Sequence, residues 1–492
     1  MSPEDSDPLD FDTLIVGAGL SGIGSAVHLR QRCPKQRFAI LEGRGRLGGT
    51  WDLFRYPGVR SDSDMHTLGY AFKPWTRGQA IADGPAILEY LQETAQEHGL
   101  LPHIRLCHRV TAAAWSSAQA RWLLTVERGA DQAPLTMRCR FLLVCSGYYN
   151  YAQGYTPTFA GQDQFAGRIV HPQEWPADLD YRDQRVVVIG SGATAMTLVP
   201  ALARKAAHVT MLQRSPTYVV ARPRNDAIAN ALRASLPATW AYALTRWKNV
   251  LLGMFFYALA KRHPAKTKAR ILEAAKAVLP PSFDTQTHFS PRYKPWDQRI
   301  CLVPNGDLFA SIRSGKANVV TDTVAALEPE GIRLGSGTLL KADLVVTATG
   351  LDLLGFGGMT LSVDGTPLQI GKTLSYKGMM LAGVPNLAYV VGYTNASWTL
   401  KSDLTGAFVC RLLNHMQRSG AQVCVPAPPD AAVQLQPWVD FSSGYIQRSL
   451  DQFPVQGNRV PWRMNQNYLR DLLDLRFQPL NDGVLQFKSA LR

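Results

Sequence analysis

The chain has 492 residues, more than the ~100–200 of a single domain, so two or three cores are expected. Apolar residues at 46% and charged residues at 18% fit a globular protein and exclude long disorder. A net charge of +14 suits nucleic acid, a membrane surface or phosphate-bearing cofactors; with no repeat, basic arm or nucleic-acid-binding signature, phosphates of dinucleotides are the expected partners and nucleic acid is not.

The start, MSPEDSDPLD, lacks the basic and apolar regions of a signal peptide, and an intracellular, cytoplasmic protein is expected. FDTLIVGAGLSGIGSAVHLRQ (Phe11 to Gln31) then reads as strand, glycine turn and helix, and RFAILEGRG as a second strand, together one βαβ unit. In GAGLSG, Gly17 permits the tight turn, Gly19 lets the backbone approach a pyrophosphate, and Gly22 lets helix and strand pack closely. Glu42, ending the next strand, can accept hydrogen bonds from ribose hydroxyls and would repel a 2′-phosphate, so FAD or NAD is expected and NADP is not.

FLLVCSG (Phe141 to Gly147) reads as a strand into a sharp turn where the chain could change domains. FAGRIVHPQEWP (Phe165 to Pro176) follows, neither helical nor strand-like in pattern. The second unit, RVVVIGSGATAMTLVPALARKAAHVTMLQRSP, carries Gly190 and Gly192 with Ala195 in the third place, a tolerated replacement. Its second strand ends in Arg214 and Ser215, both donors to a 2′-phosphate, which selects NADPH unless Arg214 is only a solvated surface arginine. One adenosine site without a 2′-phosphate and one with it describe an NADPH-dependent flavoprotein.

Between Asn225 and Pro281 the texture changes to Ala, Leu and aromatics with Lys and Arg, an inserted helical segment. Its apolar stretch Val250 to Ala260, 11 residues, is too short for the ~20 needed to cross a bilayer. A helix covering the substrate cavity or packed in the core is the preferred reading; a peripheral membrane contact, suggested by the basic KRHPAKTKAR that follows, is the lesser one. LVVTATG (Leu344 to Gly350) is a further strand and turn. The seven cysteines, at 33, 107, 139, 145, 301, 410 and 424, include no CxxC or CxxxxC pair, so neither a metal site nor a disulfide reductase is expected.

FAGRIVHPQEWP matches FxGxxxHxxxWP at Phe165, Gly167, His171, Trp175 and Pro176, and GGTWDLFRYPGVRSDSD (Gly48 to Asp64) matches GGxWxxxxYPGxxxD. On these motifs the chain resembles the class I flavin-dependent Baeyer-Villiger monooxygenases. YKPWDQRICLVPNGDL and GYTNASWTLKSDL look most like the subgroup of the mycobacterial ethionamide-activating monooxygenase. The resemblance implies an α/β fold of two Rossmann-like dinucleotide-binding domains, for FAD and NADPH, with an inserted helical subdomain. The expected division is an FAD-binding domain over 1–155, a linker and the first part of the NADPH-binding domain over 156–220, the helical insertion over 221–298, the rest of the NADPH-binding domain over 299–347, and the rest of the FAD-binding domain over 348–492.

What the family implies chemically is NADPH- and O2-dependent insertion of one oxygen into a ketone through a C4a-peroxyflavin, giving an ester or lactone, with thioethers oxidised to sulfoxides. The alternatives are a mainly heteroatom-oxidising flavin monooxygenase and, in another class, a flavin-binding NADPH oxidase or sensor. By motif the catalytic arginine maps to Arg299 and its carboxylate partner to Asp62, and Gly49, Thr50 and Trp51 join the FAD contacts. The plainer readings are an ion pair of Arg299 with Asp297 and a turn-capping role for Asp62. Gln298 stands where better-known members carry Lys, so discrimination for NADPH would rest on Arg214 and Ser215. His171 reads as a linker residue coupling NADP binding to domain orientation, ahead of a structural histidine or a proton-transfer group. Trp398 is read as packing, ahead of a position bordering the active site, and His66 and His288 as structural.

Overall fold

The first apolar run forms the strand Leu9–Val16, which pairs in parallel with Phe38–Leu41 on one side and with the end of Ala133–Val144 on the other. The computed structural model describes residues 9–129, 131–430, 432–439 and 443–489, so most of the acidic start lies outside the described residues. Leu14 and Ile15 are wholly buried on opposite faces of the strand, as expected where layers cover both sides of a sheet. The helix Leu20–Arg32 covers one face and packs against the long helix Trp398–Ser419. Arg121–Arg128 and His108–Ser116 extend the sheet antiparallel from Ala133–Val144, and Leu387–Tyr389 joins it in parallel from the far end of the chain.

A second sheet has five parallel strands in the order Ala317–Thr321, His208–Gln213, Arg185–Ile189, Leu344–Thr347 and Arg168–Val170. The helix Ala193–Leu202 packs on it after the second glycine loop. These are the two dinucleotide-type α/β units expected from the repeated strand-glycine-helix pattern.

The edge strand of the second sheet, Arg168–Val170, comes from FAGRIVHPQEWP. Phe165 is buried against Val187, Ile189 and Val345, and a Cβ at Gly167 would lie 2.3 Å from the Asp343 carbonyl oxygen, so only glycine fits there. The chain leaves the first sheet through Tyr149–Gly154 and returns through Leu351–Leu353. The two crossings pair antiparallel, with Leu351 opposite Gly154 and Leu353 opposite Tyr149.

Helices Ala227–Ser235, Ala238–Arg262, Pro264–Val278 and Thr285–Phe289 form the insertion, whose base is closed where Val219–Arg222 pairs in parallel with Cys301–Pro304. The expectation for Val250 to Ala260 is only partly met. Val250 and Ala260 are buried and Tyr257 borders a large cavity, but Leu251, Leu252, Phe255 and Phe256 face outward. The reason is that the inward face of this helix carries polar anchors. Buried Arg246 donates to the carbonyls of His66 at 2.9 Å and Gly69 at 2.7 Å, and Asn249 donates to Asp64 at 2.9 Å. Among the described residues no helix is long and apolar enough to cross a membrane.

The charged residues of GYTNASWTLKSDL are structural. Lys401, 1% exposed, donates to buried Asp471 at 2.8 Å, which also accepts from the Tyr393 hydroxyl at 2.6 Å. Removing one member of a buried pair strands the other without compensation. Lys401→Met is therefore expected to cost about 3–5 kcal/mol, read as a lower urea midpoint for the first unfolding transition, and Lys401→Met with Asp471→Leu to recover part of the loss.

Candidate active site

The first glycine loop folds as its spacing requires. Gly17 has φ +101, and a Cβ at Gly22 would stand 1.8 Å from the Gly17 carbonyl oxygen. Gly19 is the N-cap of the helix Leu20–Arg32 without a side-chain cap, which leaves the first N–H groups and the positive end of the helix for an anion. Gly49 faces Gly19 across this cradle, its Cα 3.5 Å from where a Gly19 Cβ would sit. Thr50 hydrogen-bonds the Tyr151 hydroxyl at 3.1 Å, and Trp51 packs half-buried against the first core.

Glu42 is buried, accepting from the N–H groups of Ala18 at 2.8 Å and Arg44 at 2.9 Å. Burial raises its pKa, and the two backbone donors oppose that rise. A carboxylate has about four lone-pair sites, so acceptor capacity remains for ribose hydroxyls. The residues present therefore fit a dinucleotide cofactor without a 2′-phosphate.

At the second loop, Gly190 has φ +141 and a Cβ there would meet the Ala348 carbonyl oxygen at 2.2 Å. A Cβ at Gly192 would meet nothing within 4 Å, the open approach that a pyrophosphate needs, and the helix Ala193–Leu202 again begins without a side-chain cap. Ala195 is buried against the sheet, so its methyl is accommodated by the core. Arg214 and Ser215 stand exposed just past the strand His208–Gln213, and the Ser215 carbonyl accepts from the Ser191 hydroxyl at 3.0 Å. This cradle also fits its dinucleotide.

Asp62 and Arg299, far apart in sequence, meet between the two units with Oδ2 2.9 Å from Nε, each side chain about a third exposed. Asp297 pairs with Lys261 instead, at 2.9 Å. The Asp62 charge, opposed by burial, raises the Arg299 pKa above its already high ordinary value. The guanidinium is thus fixed as a cation. Tyr148, Tyr149 and Tyr445 surround it, and burial raises all three phenols, which stay neutral. Arg299 opens into a narrow cavity walled by Tyr148, Trp398, Trp438 and Tyr445. Sequence reasoning missed the three of these other than Trp398. Tyr148 directly follows the glycine turn of FLLVCSG and could have been suspected; Trp438 and Tyr445 carry no motif.

Trp398 packs against the first unit's core, as its packing reading expects, and also borders the cavity. Its Nε1 donates to the Ser21 hydroxyl at 2.8 Å, while its ring lies 4.9 Å from that of Tyr148 on the cavity wall.

The segment before Asp62 reaches the second unit at every other residue. Tyr56 is buried in the second unit's core with its hydroxyl toward Thr194 at the start of the helix Ala193–Leu202, and burial pushes its pKa up to about 12. Gly58, at φ +78, packs on the helix Ala193–Leu202, where a Cβ would meet that of Ala201 at 2.7 Å. Arg60 pairs with Asp307.

Comparison with known proteins fits this geometry. Residues 15–78 match the family described as NAD(P)-binding Rossmann-like domain, and residues 81–235 match that described as flavin-binding monooxygenase-like. The chain is 54% identical over 478 residues to the FAD-containing monooxygenase EthA of Mycobacterium tuberculosis, covering 97% of each. The chain belongs to the FAD-containing monooxygenases. Against the EthA protein of Mycolicibacterium smegmatis the identity is 52%, again over 97% of each chain. Among solved structures it shares its fold with an oxidized steroid monooxygenase bound to NADP, at 24% identity, TM-score 0.71, and 85% and 88% of the two chains. It shares it also with an epsilon-caprolactone-bound cyclohexanone monooxygenase, at 20% identity, TM-score 0.73, and 98% and 100% of the two chains.

In this monooxygenase fold His171 lies away from the titratable cluster and at the domain crossings. Its Nε2–H donates to the Gly350 carbonyl at 3.2 Å, its Nδ1 accepts from the Gln173 N–H at 3.2 Å, and its ring packs where a Gly154 Cβ would be. Trp175 packs against the second unit's core and meets Tyr181 edge-on at 6.2 Å, with Pro176 directly after it. Burial lowers the His171 pKa, so the folded chain holds that proton less tightly than the unfolded chain. The stability contributed by the neutral ring is complete above about 6.5 and declines as pH falls from there through the lowered folded value. Between about pH 7 and pH 5.5 the melting temperature should fall more steeply for the native protein than for His171→Gln; parallel profiles would remove this assignment.

Proposed function

We propose that the chain binds FAD and NADPH and uses O2 to insert one oxygen into ketones, giving esters or lactones, and to oxidise thioethers to sulfoxides. The observation that carries this reading is the Asp62–Arg299 pair opening into an aromatic-walled cavity between two dinucleotide cradles. The steroid and cyclohexanone monooxygenases that share the fold support it, and so does the family to which the chain belongs.

When bound, FAD supplies hydride acceptance and the activation of oxygen. The chain contributes position and charge. Gly17, Gly19, Gly22, Gly49, Thr50 and Trp51 hold one cofactor and Glu42 its ribose, while Gly190, Gly192 and Ala195 hold the other. Arg214 and Ser215 choose the 2′-phosphate, with Gln298 adding no cation. Arg299 cannot give up a proton, and its guanidinium has five N–H donors, so pairing with Asp62 leaves donors for an anionic oxygen on the reacting atoms. Asp62 orients the guanidinium without neutralising the region completely, since the pair is partly exposed and the nearby phenols are uncharged. Tyr148, Trp398, Trp438 and Tyr445 exclude water, which strengthens the Arg299 charge where it is needed. Phe165, Gly167, His171, Trp175 and Pro176 set the orientation of the NADP-binding unit and take no direct part.

Mass spectrometry of products from aliphatic ketones, aryl ketones and aryl sulfides with NADPH tests the reading. Esters and sulfoxides are expected; sulfoxides without esters would favour a heteroatom-oxidising enzyme, and NADPH consumption without any oxygenated product would overturn both. Arg299→Ala should still oxidise NADPH while losing product by about a hundredfold or more, and Asp62→Asn should fall between this variant and the native enzyme. Arg214→Ala should raise KM for NADPH by about tenfold and leave KM for NADH nearly unchanged.

A further inference from the structure

The helix Ala238–Arg262 is amphipathic in the reverse sense. Its inward face is held by hydrogen bonds from Tyr242 to the Tyr70 carbonyl at 2.9 Å, from Arg246 to the Gly69 carbonyl at 2.7 Å and from Asn249 to Asp64 at 2.9 Å. Its outward face carries the large apolar side chains. Trp240, Leu244, Trp247, Leu251 and Phe255, three or four residues apart, are 66, 49, 41, 49 and 60% exposed, and Leu252 and Phe256 flank them at 45 and 47%. That spacing sets them in one stripe along the helix. Scattered exposed apolar residues need no explanation, but a continuous stripe of this size marks an interaction surface.

The charge around the stripe narrows the partner. The 25-residue helix contains no Asp or Glu and ends in Lys261 and Arg262. In the next helix, Pro264–Val278, Lys266, Arg270 and Lys276 are exposed against a single acidic residue, Glu273. Beyond the end of the stripe, Arg459, Arg463 and Arg470 line a cavity of about 1000 Å³ together with Tyr257 and Lys261 of the same helix. Lys261 and Arg459 have carboxylate partners in Asp297 and Asp430, but exposed Arg262, Lys266, Arg270 and Lys276 leave the face net positive, and a second copy docking through it would present the same excess. An anionic lipid surface complements it, and aromatic side chains such as Trp240, Trp247 and Phe255 suit the headgroup level of a bilayer.

We propose that Ala238–Arg262 is an interfacial membrane-docking helix, lying in the headgroup region of an anionic bilayer with its Trp–Leu–Phe stripe in the acyl boundary and the following basic residues on the lipid charge. The cavity bordered by Tyr257 and Lys261 then opens beside the lipid. This docking does not depend on which substrate the site oxidises.

The test is flotation of the full-length FAD-loaded protein with vesicles of phosphatidylcholine containing about one-third phosphatidylglycerol, with pure phosphatidylcholine vesicles and without vesicles, alongside sedimentation velocity. The native protein is expected to float with the anionic vesicles, at least about tenfold more than with the zwitterionic ones, and less at high salt. Leu251→Glu with Phe255→Glu should abolish flotation by removing the apolar anchor. Arg262→Glu with Lys266→Glu and Arg270→Glu should abolish the preference for anionic lipid. Unchanged NADPH oxidation without vesicles shows that each variant is folded; if the first set fails this control it is replaced by Leu251→Gln with Phe255→Gln, and if the second fails it is replaced by Arg262→Gln with Lys266→Gln and Arg270→Gln, each read in the same way. Native protein that does not float, flotation that survives the Leu251 and Phe255 changes, or a dimer in solution that these changes dissociate would each overturn the proposal, the last assigning the face to a second copy.

Discussion

The contact between Asp62 and Arg299 sets the terms for the rest of the molecule, because its two partners belong to different folding units. Asp62 follows the first βαβ unit, whereas Arg299 stands where the helical insertion returns to the second. A third-exposed ion pair adds little stability by itself. Its effect is positional, and the chain around it is built to keep the two ends in register. Tyr56 and Gly58 pack on the helix that follows the second glycine loop, and Arg60 pairs with Asp307. Any shift of one unit against the other is therefore felt first at the cation beside the aromatic cavity.

The two α/β units were legible in the sequence because their signals are local: an apolar run, glycines at positions where a Cβ would collide with backbone, then a helix. Gly22 against the Gly17 carbonyl and Gly190 against the Ala348 carbonyl show why those spacings tolerate little change. The pairing of Asp62 with Arg299 came only from the resemblance, since no periodicity links residues so far apart. Tyr148, Trp438 and Tyr445 could not be assembled as a wall from sequence, because the first stands far along the chain from the other two. The docking role of Tyr56, Gly58 and Arg60 was hidden for a different reason: turn residues and a surface arginine have adequate local explanations, and only the fold supplies the second partner.

The helix Ala238–Arg262 shows the limit of hydrophobic patterning most plainly. A period near 3.6 locates an apolar stripe but does not say which way it faces. The usual assumption, apolar side inward, rests on burial being the stronger force, and it fails where buried hydrogen bonds anchor the opposite face. Arg246 is the decisive residue: three backbone carbonyls, from His66, Thr67 and Gly69, converge on one of its nitrogens. A leucine in its place would leave those buried carbonyls without this donor, and the Asp403 carboxylate 3.5 Å away compensates the buried charge, so the arginine turns inward and the stripe turns out.

The crossings between the two units carry a mechanical consequence. Because Tyr149–Gly154 and Leu351–Leu353 run side by side and bonded, with the His171 ring fastened to Gly350 and seated on Gly154, the two crossings form one joint and not two independent tethers. A change at Gly154 or Gly350 therefore reaches both crossings and the fingerprint histidine at once, so these two glycines couple the two dinucleotide units through one small patch of backbone.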